Sequence, residues 1–134
     1  MPPGDRARIL VTGAAGFTGH HAVIATARSG LAVRASDVSS RHYGALFEAL
    51  GAEFVAADLT RREGLEGLLA GVDAVFHVAG IHDYSTPDAV IFAVNVKAVE
   101  NLCDAATTAG VSATIPGSPS NAEASGRATA DTAS

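Results

Sequence analysis

The sequence predicts a doubly wound α/β fold, a parallel sheet with helices on both faces. Three observations carry that expectation. A unit of strand, turn, helix and glycine recurs four times between residues 8 and 110. The hydrophobic fraction is 48% but aromatics are only 5%, so the core must be Ala, Val, Leu and Ile, which suits strands buried between helices. Gly13, Gly16 and Gly19 are spaced three apart where the first strand meets the first helix.

In order, strands are expected over residues 8–12, 31–36, 53–57 and 73–79. Helices are expected over residues 17–29, 42–50, 61–70 and 87–109, each stopped by a glycine: Gly30, Gly51, Gly71 and Gly110. Glycine just past a helix takes the left-handed conformation at no steric cost. Thr60 followed by Glu63 reads as a capping box at the third helix. Thr86 before Pro87 reads as the start of the fourth. The stretch DAVFHVAG is apolar almost throughout, as a strand covered on both faces requires. Short connections imply parallel strands joined by right-handed crossovers.

After Gly110 the pattern asks for a fifth strand. Pro116 falls where it should continue, and proline is barred from central strands. The residues beyond are mostly Ser, Ala, Thr, Gly and Pro, too poor in apolar surface to offset ordering entropy. The expected organisation is therefore a domain over residues 5–111 with about four strands, and a flexible low-complexity tail over 112–134. Strand four would then be an open apolar edge, prone to self-association.

A chain of 134 residues fits one domain. Its net charge of −5, with no Lys/Arg cluster, excludes a nucleic-acid or membrane surface. Cys103 is the single cysteine, so no disulfide can form within the chain, as in a reducing cytoplasm. Its apolar helical setting reads as a small buried hydrophobe, not a nucleophile. The five histidines show no metal-ligand spacing, and no segment reads as a signal peptide or a membrane span.

The stretch ILVTGAAGFTGHH holds the chemistry. The first glycine allows the turn, the second lets the backbone approach a diphosphate, and the third lets the helix pack on the strand. The anion would lie on free backbone N–H groups at the positive end of the helix dipole. Asp37 follows 18 residues after Gly19, at the end of strand two, where an acid accepts hydrogen bonds from the adenine ribose. Strand, glycine turn, helix and acid together make a Rossmann-like dinucleotide site.

These residues resemble the extended short-chain dehydrogenase/reductase family, of the NAD-dependent epimerase/dehydratase type. The resemblance rests on VTGAAGFTG, SDVSS, ADLT, VFHVAG and NVKAVENLCDAA, and covers residues 9 to about 111, the N-terminal half of such a protein. It implies that Gly13, Gly16 and Gly19, with the backbone of Phe17 and Thr18, hold the pyrophosphate. It implies that Asp37 takes the ribose and that Asp58 and Leu59 flank the adenine. Val78, Ala79 and Gly80 would line the cofactor, and Asn95 would lie behind the nicotinamide. Around Asn95 the chain departs from the family's Asn-Val-x-Gly-Thr, with Ala98 and Val99 in place of Gly and Thr. A carboxylate at Asp37 repels the 2′-phosphate of NADP, so NAD is the expected cofactor. Arg34 and Arg41 are the nearby cations that would receive that phosphate.

His20 lies where it could approach the pyrophosphate, but it and His21 read first as packed or solvated helix residues. His77 reads as a hydrogen-bonded core histidine, and His82, Asp83 and Tyr84 as loop residues able to touch substrate. The family's hydride transfer uses a tyrosine with a lysine four residues later, a pair tuned for proton transfer. Neither Tyr43 nor Tyr84 has one: the residues four on are Phe47 and Asp88. No catalytic residue is therefore assigned. The expectation is the NAD-binding portion of an epimerase, dehydratase or dehydrogenase acting on a nucleotide sugar or secondary alcohol, cut short by truncation or a frameshift. The alternatives are a non-catalytic redox-sensing module and an inert fragment.

Overall fold

The computed structural model describes residues 6–78, 88–111 and 113–116. The elements are β1 (Arg8–Thr12), α1 (Phe17–Arg28), β2 (Ala32–Asp37), a 3₁₀ turn (Arg41–Tyr43), α2 (Gly44–Ala49), β3 (Glu53–Ala56), α3 (Leu65–Leu69), β4 (Ala74–His77), α4 (Asp88–Ala109) and β5 (Ala113–Pro116). The sheet order is β3-β2-β1-β4-β5, and every neighbouring pair is parallel. Gly30, Gly51, Gly71 and Gly110 all have positive φ, as their places after the helices require.

Alternate strand residues feed two cores. Val11, Val33 and Ala35 pack with Val23 of α1 and Phe47 of α2 on one face. Leu10 and Val75 pack with Leu65, Leu68 and Leu69 of α3 and Leu102, Ala105 and Ala106 of α4 on the other. Helices thus cover both faces, as the apolar strands demand.

Two expectations are corrected. The sheet has one strand more than the four expected: Ala113–Pro116 forms β5, paired with β4 from Ala74↔Ala113 to His77↔Pro116. Proline is tolerated here because Pro116 is the last residue of β5, the outermost strand among the described residues, and its missing N–H breaks no ladder bond between described strands. Consequently β4 lies between β1 and β5, and the self-association expected from an open β4 edge loses its basis. The third helix is also shorter than expected. Thr60 gives both its N–H and its hydroxyl to Asp58 Oδ1, at 2.9 and 2.6 Å, instead of capping with Glu63. Gly64, at φ 82°, then starts α3.

Candidate functional site

The sheet order reverses between β1 and β4, and ligands of such folds bind at that crevice, beyond the carboxyl ends of the strands. The register brings those ends level: Thr12 of β1 pairs with Ser36 and with His77, and Asp37 pairs with Ala56.

The turn after β1 is built by backbone bonds. Gly13 takes φ 63°. Ala14 N donates to Ser36 O at 3.0 Å, and Gly16 N to Gly13 O at 3.1 Å. Gly16 then caps α1 with extended backbone; no side chain caps this end, and no acid lies in its first turn. The first intrahelical donor is His20 N, to Gly16 O at 3.0 Å. The N–H groups of Phe17, Thr18 and Gly19 come before it, so the helix itself gives them no acceptor. Three donors and the dipole's positive end form a cradle for an anion. Gly19 makes the cradle possible: a Cβ there would lie 1.8 Å from Gly13 O. Phe17 and Thr18 are exposed beside it.

Asp37 completes the turn from the next strand. Its Oδ2 accepts Ala15 N–H at 3.0 Å and its Oδ1 accepts Val38 N–H at 2.7 Å. Each carboxylate oxygen keeps a lone pair that can accept a hydroxyl. Arg41, at φ 50°, is the one non-glycine residue with positive φ among those described, and it sits in the loop that follows. Arg34 is not available for a phosphate. It is buried in mid-strand, with Nη1 donating to Leu68 O and Ala70 O at 2.7 and 2.8 Å and Nε to Glu53 at 2.8 Å. It holds the carbonyl end of α3, leaving Arg41 as the exposed cation of this region.

Beyond β3, Asp58 is exposed, and the Thr60 hydroxyl and then its N–H hold the carboxyl below the usual carboxylate range. Leu59 is buried in the core, so it offers a ligand backbone, not side chain. Its carbonyl accepts Asn101 Nδ2 at 2.9 Å, and Asn101 is itself buried on α4. Asn101 went unassigned in the sequence, although a lone amide in the apolar stripe of Ala98, Leu102 and Ala105 was its signal. Beyond β4, Val78 N donates to Thr12 Oγ1 at 3.1 Å, and Thr12 Oγ1 meets His77 Nδ1 at 2.8 Å. Burial pushes the His77 imidazole down to about 4, so it stays neutral and hydrogen-bonded. Asn95 is half-buried on α4. Ala79, Gly80, His82, Asp83, Tyr84 and the Thr86–Pro87 start lie outside the described residues.

His20 is a packed histidine: its ring stacks on Tyr43 with centroids 4.3 Å apart. Cys103 is half-buried, and burial raises its thiol, which suits packing better than attack. Among the described residues no group of three His, Cys, Asp or Glu could hold a metal, and no helix is long and apolar enough to cross a membrane.

The model of the NAD-dependent epimerase/dehydratase family matches residues 9–132. The chain belongs to that family. The match runs past Val111 into the stretch expected to be unrelated sequence. A 3-beta-hydroxysteroid dehydrogenase of Mycolicibacterium neoaurum is 34% identical over 114 residues, 80% of this chain and 30% of that protein. A farnesyl-dihydroquinoline-oxide ketoreductase of Stigmatella aurantiaca is 34% identical over 104 residues, 78% of this chain and 31% of its own. Among solved structures, a short-chain dehydrogenase/reductase protein of Agrobacterium tumefaciens with bound NAD is 33% identical, with TM-score 0.67 over 81% of this chain and 31% of that one. A UDP-glucose-4-epimerase of Stenotrophomonas maltophila, also with NAD, is 26% identical, with TM-score 0.72 over 82% and 36%. The chain spans about a third of the length of these family members.

Proposed function

We propose that these residues are the NAD-binding part of an oxidoreductase or epimerase of this family. The observation that carries the reading is the bond from Ala15 N–H to Asp37 Oδ2, which joins the glycine turn to the acid at the end of β2. One side of that bond offers donors to a diphosphate and the other offers acceptors to a ribose. Gly13, Gly16, Phe17, Thr18 and Gly19 would hold the diphosphate, Asp37 the ribose, and Asp58 with the Leu59 backbone the adenine. Val78, Ala79, Gly80 and Asn95 would line the nicotinamide half. Bound NAD would supply a hydride acceptor.

NAD is favoured over NADP because a 2′-phosphate would meet the Asp37 carboxylate, and Arg34, one of the two cations near it in sequence, is committed to α3. The substrate class proposed is a secondary alcohol or a nucleotide sugar, in keeping with the dehydrogenase, ketoreductase and epimerase among the similar proteins. A cytoplasmic setting fits the single cysteine. Turnover would need a proton-transfer pair, and no tyrosine in the 134 residues has a lysine four places on.

Calorimetric titration of the folded chain with NAD, NADH, NADP and NADPH tests the proposal. Saturable binding at one site is expected, at least about tenfold tighter for the NAD pair, since a repelled charge costs over 1 kcal/mol. Absence of binding to folded protein would overturn it, and preference for the NADP pair would overturn the cofactor assignment.

A further inference from the structure

A column of rings runs from the glycine turn into the core. His20 Nδ1 lies 3.0 Å from Gly16 O, the carbonyl that caps α1. The His20 ring is stacked on Tyr43 at 4.3 Å and 15°. Tyr43 lies 6.2 Å from Phe47, and Phe47 stacks on Phe54 at 5.9 Å and 11°. Phe47 is fully buried, so the column has a fixed base. Tyr43 also closes the loop after Asp37, donating its N–H to Ser40 O at 2.9 Å. Residues 37–43 are thus tied to the glycine turn and the start of α1 at two points. Asp37 on Ala15 N–H is one, and Tyr43 beneath His20 is the other.

We infer that His20 is a positioning residue for the adenosine half of the dinucleotide. It clasps the Asp37 loop against the glycine turn, and so sets the width of the gap that a ribose must enter. The inference rests on the dinucleotide reading above. Its physical basis is preorganisation: a loop already held in its binding conformation loses less freedom when ligand arrives. Neither tie is redundant. The Asp37 bond fixes the start of the loop, whereas the strained Arg41 and the 3₁₀ turn lie closer to Tyr43. Stacking of planar rings is the attraction that holds the far end.

The test uses the full chain, with NAD and ADP-ribose as probes, titrated well below the melting temperature of each variant. His20→Ala and Tyr43→Ala should each weaken both probes about tenfold, because both probes share the affected half. The double variant should be no weaker than either single one, since each breaks the same clasp. His20→Phe keeps a ring on Tyr43 and should stay within about threefold of the parent. Should His20→Ala unfold, His20→Leu fills similar space without a stacking ring and carries the same expectation. A parent that binds both probes while His20→Ala and His20→Leu bind equally well would overturn the clasp alone. So would losses that multiply in the double variant, or His20→Phe losing as much as His20→Ala. A parent that binds neither probe overturns the dinucleotide reading, and the clasp with it.

Discussion

Replacing Gly19 by alanine puts the glycine turn to a steric test. The new Cβ would lie 1.8 Å from Gly13 O, 2.6 Å from Gly13 C and 2.9 Å from Ala14 Cα. Real Cβ atoms essentially never come within 3.0 Å, so α1 must draw back from the Gly13–Ala14 turn by the difference, about 1.2 Å. All three neighbours are backbone, so no rotamer change can relieve the clash. The cost belongs at the top of the range for overpacking, about 3 kcal/mol or more. At roughly 4 °C per kcal/mol for a chain of this size, the melting temperature should fall by about 10 °C. Gly16→Ala is the control. Its Cβ meets only Gly13 O at 3.4 Å, an ordinary contact, and Gly16 has φ −91°. It should cost under about 1 kcal/mol. Thermal unfolding followed by far-UV circular dichroism decides. A Gly19→Ala protein that melts within about 2 °C of the parent, or a Gly16→Ala protein that loses as much, would refute the reasoning.

Three further outcomes follow from the same contacts. His77 is pushed from 6.5 to about 4 by burial, so between those values the unfolded chain binds a proton that the folded chain refuses. Stability should therefore fall as pH drops from 7, by about 2 kcal/mol at pH 5, and His77→Gln should flatten that slope in denaturant titrations; an unchanged slope sinks the assignment. Arg34→Ala strips the donor from Leu68 O and Ala70 O and should cost about 3 kcal/mol, with the ratio of NAD to NADP affinity unmoved. A changed ratio would return Arg34 to the phosphate site. Asn101→Ala leaves the buried Leu59 carbonyl unpaired and should cost about 1–3 kcal/mol by chemical denaturation; a neutral result would mean that water replaces the amide.

What the sequence made legible is what local pattern encodes. The strands and glycine stops follow from apolar runs and chain reversals. Asp37, 18 residues after Gly19, folds back to reach Ala15 N–H because parallel pairing brings the end of β2 level with the turn after β1. What stayed hidden depends on distant partners. Arg34 looked like a cation near a phosphate, yet its acceptors lie 34 and 36 residues away at the end of α3. Asn101 reaches 42 residues back to Leu59. Thr60 looked like a cap until Asp58, two residues before it, took both its donors. β5 was missed because proline was weighed as in a central strand; as the last residue of the outermost described strand it is tolerated.

The central claim is that a dinucleotide lies across the glycine turn and Asp37. Nuclear magnetic resonance of ¹⁵N-labelled chain titrated with NAD reads it residue by residue. The account predicts saturable shifts of the amides of Ala15, Gly16, Phe17, Thr18 and Gly19, joined by Val38 and Thr60, with the α2 and α3 amides still. Shifts confined to other surfaces, or none at saturating NAD with a dispersed, folded spectrum, would contradict it.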